Sequence, residues 1–155
     1  MECDAKRNHL IIRILKGGDH SMSVILDFLK AVAGVSKTKP LSQEFWRLEG
    51  NKATIKVDQI PELQQPGGAV FLSGEGLKTP VLVVRDDDGN YHGFSNRCSH
   101  FGRKLDPVPG KSVLRCCSLN HSTFDYNGAN LTGPTSRPIK VYRTELKDGN
   151  LMIFV

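Results

Sequence analysis

From about Ala53 onward the chain alternates apolar and polar residues in short runs, broken by turn residues every ten positions or so. Ala53-Thr54-Ile55-Lys56-Val57 has the period of two expected of a strand with one buried face. Pro66-Gly67-Gly68 predicts a turn before a strand at Ala69-Val70-Phe71-Leu72, and Val81-Leu82-Val83-Val84-Arg85 predicts another. Asp88-Gly89-Asn90 predicts a tight hairpin into Tyr91-His92-Gly93-Phe94. Asp148-Gly149 predicts a second, between Thr144-Glu145-Leu146 and Leu151-Met152-Ile153-Phe154. Asp-Gly supplies the positive φ angles of a type I′ turn. Repeated hairpins without intervening helices indicate an all-β domain, a small antiparallel barrel or sandwich. Residues 95–138 break this rhythm and read as loops.

The N-terminal portion has a different pattern. Residues 22–35 read as a short apolar helix ending at Gly34, and Ser36-Lys37-Thr38-Lys39-Pro40 reads as a polar linker. The expected organisation is therefore an extension over 1–45 and one domain over 46–155, with functional loops at about 95–138. The apolar run from Met22 to Ala33 contains Asp27 and Lys30 and falls short of the roughly 20 apolar residues that span a bilayer. Membrane association is possible but not favoured. No Arg-rich segment, zinc-finger spacing or aromatic-interleaved basic stripe is present, which argues against a nucleic-acid partner. The four cysteines, Cys3, Cys98, Cys116 and Cys117, make a poor disulfide framework and suit a reducing, cytoplasmic setting.

The candidate chemistry lies in two clusters, Cys98-Ser99-His100-Phe101-Gly102 and Cys116-Cys117-Ser118-Leu119-Asn120-His121-Ser122. Each offers a soft thiolate and an imidazole, donors that suit iron or zinc. A Cys and a His two apart in a turn point at neighbouring atoms more readily than at one ion. That favours a two-metal cluster. Cys116 by itself reads as a buried strand-end thiol, His92 as a structural residue, and Cys3, His9 and His20 belong to no constellation.

From about residue 55 to the C-terminus the sequence resembles a Rieske domain. Cys98, His100 and Gly102 match the family's C-x-H-x-G; Phe124-Asp125, Gly128 and Gly133 to Pro138 resemble the segment after the family's second loop, including a proline-containing loop over the cluster. The resemblance implies a 2Fe–2S cluster with two Cys on one iron and two His on the other, and a potential above that of all-Cys clusters. The second loop departs from the family's C-P-x-H-x-x-x-F-D. Anchoring on Phe124 puts Cys117 in the thiolate slot and Asn120 in the imidazole slot, with His121 one place late. One residue moves the Cα by about 3.8 Å. Three arrangements stay open: ligation by His121, a site that is clusterless or holds another metal, and Asn120 or Cys116 as substitute ligand. In the same register Ser122 matches the serine that hydrogen-bonds a cluster sulfide in higher-potential members.

The expected ligands are thus Cys98, His100, Cys117 and His121, with Ser122 as sulfide donor. The expected function is one-electron transfer, as a ferredoxin or a small subunit of an oxidoreductase, between a protein redox donor and acceptor. The alternatives are a clusterless Rieske-fold binding or assembly module and a quinol-oxidising component of a cytochrome bc-like complex. Arg97, Arg103, Lys104, Lys111 and Arg115, against the single acid Asp106, suggest a basic collar that docks an acidic partner surface.

Overall fold

The computed structural model describes residues 35–155. The helix expected from residue 22 to Gly34 lies outside that range, as do Cys3, His9 and His20. The described residues form strands β1 (Lys39–Pro40), β2 (Trp46–Glu49), β3 (Lys52–Lys56), β4 (Ala69–Leu72), β5 (Val81–Arg85), β6 (Tyr91–Ser95), β7 (Leu105–Pro107), β8 (Val113–Cys116), β9 (Thr123–Asp125), β10 (Asn130–Thr132), β11 (Val141–Lys147) and β12 (Asn150–Phe154). They make two sheets: an eight-stranded one in the order β1-β4-β5-β6-β11-β12-β3-β2, and a four-stranded one in the order β10-β9-β8-β7. All neighbours pair antiparallel except β1 with β4. The all-β expectation holds.

The two hairpins close differently. Asp148 (φ 50°) and Gly149 (φ 73°) both take the left-handed conformation, as a type I′ turn requires, and Lys147 pairs with Asn150. At the first hairpin only Gly89 does so, with φ 87°. Asp86 pairs with Asn90 through an N–H···O bond of 2.9 Å, and the Asp86 carboxylate accepts the Asn90 N–H at 2.7 Å. The loop is therefore three residues long with glycine at its left-handed position, not the type I′ turn expected from Asp88-Gly89. The capping carboxylate of Asp86 makes the longer loop the better one.

Strand β5 shows how the two sheets are joined. Val81 and Val83 enter one apolar core with Trp46, Ile55, Leu151 and Ile153, while Leu82 and Val84 enter a second with Phe94, Leu105, Leu114 and Phe124. A continuous apolar run is what a strand covered on both faces needs. The second core lies between the large sheet and the small one, and the small sheet carries the Cys/His loops.

Two expectations need correction. Residues 95–138, read as loops, contain the whole four-stranded sheet; its three- and four-residue strands are too short for a clear period of two. Ser36 to Pro40, read as a linker, is bound to the domain. Lys39 and Pro40 pair with β4, and Ser36, Lys37 and Thr38 all donate to the Asp106 carboxylate.

Candidate metal centre

Three loops at one end of the small sheet build the site. The first, Asn96 to Lys104, joins β6 to β7. Its base is locked by the buried Asn96 side chain, whose Oδ1 accepts the Leu105 N–H at 2.8 Å. Cys98 N–H donates to the Arg103 carbonyl at 2.7 Å and Gly102 N–H to the Cys98 carbonyl at 2.9 Å, folding residues 98–103 into a closed turn. Gly102 takes φ 68°, a left-handed conformation that calls for glycine. The second loop, Cys117 to His121, joins β8 to β9 and is closed by Cys116 N–H donating to the Ser122 carbonyl at 2.9 Å. Cys117 N–H donates to the Lys104 carbonyl at 3.0 Å and ties the two loops together.

The third loop, Gly133 to Lys140, covers the other two. Ser99 Oγ donates to the Arg137 carbonyl at 2.7 Å, and Arg137 Nη2 returns a bond to the Ser99 carbonyl at 2.6 Å. Gly133, at φ 102°, lies so close to the second loop that a Cβ would be 2.5 Å from both the His121 carbonyl and Ser122 Cα. Glycine at this position is a packing requirement.

Among the residues singled out by sequence, the structure brings some together and separates others. Cys98 and Cys116 are 2% and 1% exposed, share the second core, and have their thiols side by side. The Cys98 sulfur accepts the His100 backbone N–H at 3.5 Å. The His100 ring keeps Nδ1 buried with no hydrogen-bond partner, and the fully buried Ser122 Oγ has none either. Cys117 points elsewhere, its thiol donating to Asp106 Oδ2 at 3.1 Å. His121 is exposed, and its Nδ1 donates to the Cys116 carbonyl at 3.0 Å, since a carbonyl can only accept. Asn120 is exposed. His92 lies away from the loops and pairs with Asp86 at 2.8 Å.

The electrostatics follow from these contacts. Burial, helped by the adjacent Cys98 thiol, pushes the Cys116 thiol up to about 11 against the opposing pull of Ser118. Burial and the facing Asp106 carboxylate push the Cys117 thiol up to about 12. For Asp106 itself burial acts upward, but hydrogen bonds from Ser36, Lys37 and Thr38 outweigh it and hold the carboxyl below its ordinary value. Asp106 was missed as a site residue by sequence reasoning, although it is the only acid between Arg97 and Arg115.

Soft thiols beside an imidazole whose Nδ1 is buried and unpartnered fit an iron–sulfur group: orphaned buried donors and acceptors call for a partner. An all-β scaffold presenting paired Cys/His loops over an apolar core is the arrangement of a cluster-binding domain. The model of the Rieske [2Fe-2S] domain matches residues 53–143, more than half of the chain, and the chain belongs to that family. Its cofactor is a Rieske-type 2Fe–2S cluster.

The chain is 27% identical over 92 residues to the cytochrome b6-f complex iron-sulfur subunit 2 of Trichormus variabilis, covering 59% of this chain and 51% of that one. It is 34% identical over 64 residues to the glycine betaine monooxygenase oxygenase subunit of Pseudomonas aeruginosa, covering 41% of this chain and 15% of that one. This chain thus spans about half the length of the cytochrome subunit and a smaller share of the oxygenase subunit. The ferredoxin of carbazole 1,9a-dioxygenase from Nocardioides aromaticivorans superposes with a TM-score of 0.51 at 28% identity, covering 63% of this chain and 89% of that one.

Proposed function

We propose that this domain passes single electrons between two protein partners, in the manner of a Rieske ferredoxin. Cys98 and His100 would hold the cluster from the first loop; His121 and one of the adjacent pair Cys116 and Cys117 would hold it from the second. The observation that carries this reading is the set of buried polar atoms left without partners around the loops, His100 Nδ1, Ser118 Oγ and Ser122 Oγ among them, next to buried thiols. When bound, the cluster supplies a one-electron store.

The chain's own residues tune and protect that store. Ser122 Oγ–H is available as a donor that disperses the charge of the reduced state and raises the potential. Leu105, Leu114 and Phe124 close the inner side with apolar surface and exclude water. The Ser99–Arg137 bonds hold the third loop in place above. The outer side is open: Phe101 on the first loop is 75% exposed and Leu119 on the second 54%. Such apolar tips, with exposed Arg97, Arg103 and Arg115, suit a brief encounter with a partner that carries an acidic rim. Asp106, the one acid of this stretch, is half-buried and turned toward Ser36, Lys37 and Thr38. Lys104 is engaged too, its Nζ 3.9 Å from the centroid of the Phe71 ring.

The test is anaerobic reconstitution with iron and sulfide. About two of each per chain and a nitrogen-ligated electron paramagnetic resonance signature are expected. His121→Ala should abolish that signature and Asn120→Ala should leave it. A chain that stays apo, or takes zinc instead, refutes the reading. With a protein partner, the bimolecular rate constant should fall as salt rises and in the pair Arg103→Glu with Arg115→Glu. Among the described residues no helix is long and apolar enough to cross a membrane, and a cytoplasmic setting is part of the proposal. A quinol-oxidising role is the second reading, favoured by likeness to the cytochrome b6-f subunit; quinol-dependent reduction of the loaded protein decides it.

A further inference from the structure

We propose that Cys116, and not Cys117, is the second thiolate of the cluster, and that Cys117 is a framework thiol that anchors the second loop. This rests on the proposed function, in which the chain holds a cluster. Phe124 lies seven residues after Cys117, so spacing alone favours Cys117. The strand register favours its neighbour. Along β8 Leu114 and Cys116 turn into the second core while Arg115 is exposed, and β8 pairs with β9 so that Leu114 faces Phe124. Side chains alternate along a strand, so Cys116 shares the inward face with Leu114 and lies beside Cys98.

The surroundings of the three sulfurs point the same way. A ligating sulfur must be a thiolate, and a thiolate is stabilised by donors. Cys98 Sγ has the backbone N–H of His100, two residues on, at 3.5 Å. Cys116 has Ser118 two residues on, whose buried Oγ is left without a hydrogen-bond partner. Cys117 Sγ instead donates to Asp106 Oδ2 at 3.1 Å and lies outside the core that Cys98 and Cys116 share. That carboxylate is committed, since it also accepts from Ser36, Lys37 and Thr38.

The assignment also accounts for the late histidine. Counted from Cys116, four residues precede His121, against two between thiolate and imidazole in the family's pattern. Each added residue extends the reach by up to about 3.3–3.6 Å. The loop therefore has slack, and a shifted imidazole does not by itself remove a ligand.

Cys117→Ala and Cys116→Ala, reconstituted anaerobically beside the wild-type chain, test this by iron and sulfide content and by electron paramagnetic resonance, with far-UV circular dichroism to establish folding. Cys117→Ala should keep the wild-type cluster content and g values, and Cys116→Ala should lose both. A folded Cys117→Ala chain without cluster overturns the assignment, and this variant alone decides if Cys116→Ala does not fold. A second arm needs no cluster: apo protein oxidised with diamide should form a Cys98–Cys116 disulfide by mass spectrometry. A Cys98–Cys117 bridge as the main product overturns the assignment equally. A wild-type chain that takes up no cluster defeats the proposed function, whereas a wild-type chain that loads while Cys117→Ala does not defeats only the assignment.

Discussion

Replacing Asp106 by asparagine leaves the size of the side chain and removes an acceptor where only donors converge. Oδ1 accepts Ser36 Oγ at 2.6 Å, Thr38 Oγ1 at 2.7 Å and Thr38 N–H at 3.0 Å; Oδ2 accepts Lys37 N–H at 2.9 Å and Cys117 Sγ at 3.1 Å. An amide keeps one oxygen and sets its NH2 against the donors on the other side. Hydrogen bonds to charged groups contribute about 1.5–3 kcal/mol each, so losing two at a half-buried site costs about 3 kcal/mol. For a domain of this size that lowers the melting temperature by roughly 10 °C. Urea unfolding followed by the fluorescence of Trp46, the only tryptophan and a buried one, measures it. Amide hydrogen exchange at Lys37 and Thr38 reports release of that segment. The sign with pH is fixed. The folded carboxyl is held below its ordinary value, so its contribution is complete above the unfolded value of about 3.9 and is lost as pH falls through the folded one. The gap between wild type and Asp106→Asn should be full at neutral pH and close in acid. An unchanged urea midpoint with unchanged exchange at Lys37 and Thr38 would refute the reasoning.

Phe124→Ala, at a fully buried position under the second loop, should destabilise the domain by about 3–5 kcal/mol in the same urea assay; a change below about 1 kcal/mol would show that this core does not support the loops. Gly133→Ala drives a Cβ to 2.5 Å from the His121 carbonyl and Ser122 Cα at φ 102°. It should cost about 2–3 kcal/mol and slow cluster uptake, read by calorimetry and by the rate of colour development. In native apo protein at pH 8, Cys117, pushed up to about 12 by burial and Asp106, should react with iodoacetamide more than about a hundredfold slower than a free thiol; an ordinary rate would mean that the Asp106 contact does not persist.

Much of the scaffold is legible in the residues. The C-terminal hairpin follows from Asp148-Gly149, whose conformation is local, and Val81 to Val84 reads as a strand because it is apolar throughout. Cys98, His100 and Gly102 lie in one turn, so their grouping survives any error elsewhere. The illegible parts depend on partners distant in sequence. Ser36 to Thr38 looks like a linker until Asp106, some seventy residues away, accepts its donors. Cys116 and Cys117 are chemically identical neighbours; the pairing of β8 with β9 decides which one faces inward, and nothing within the loop encodes it. The short strands β7 to β10 gain their hydrogen bonds from one another and carry too few residues for a period to emerge.

Strand β5 has a consequence for how this family can drift. Val81 and Val83 belong to one core, Leu82 and Val84 to the other. A substitution at any of the four is a local event, repaired by repacking one side. Inserting or deleting a single residue between them is not, because it rotates every later side chain to the opposite face and mismatches both cores at once. Length variation among relatives should therefore collect in the turns and be absent between Val81 and Val84. That gap-free stretch is a landmark from which the register of a divergent metal loop can be counted when the loop's own motif has eroded.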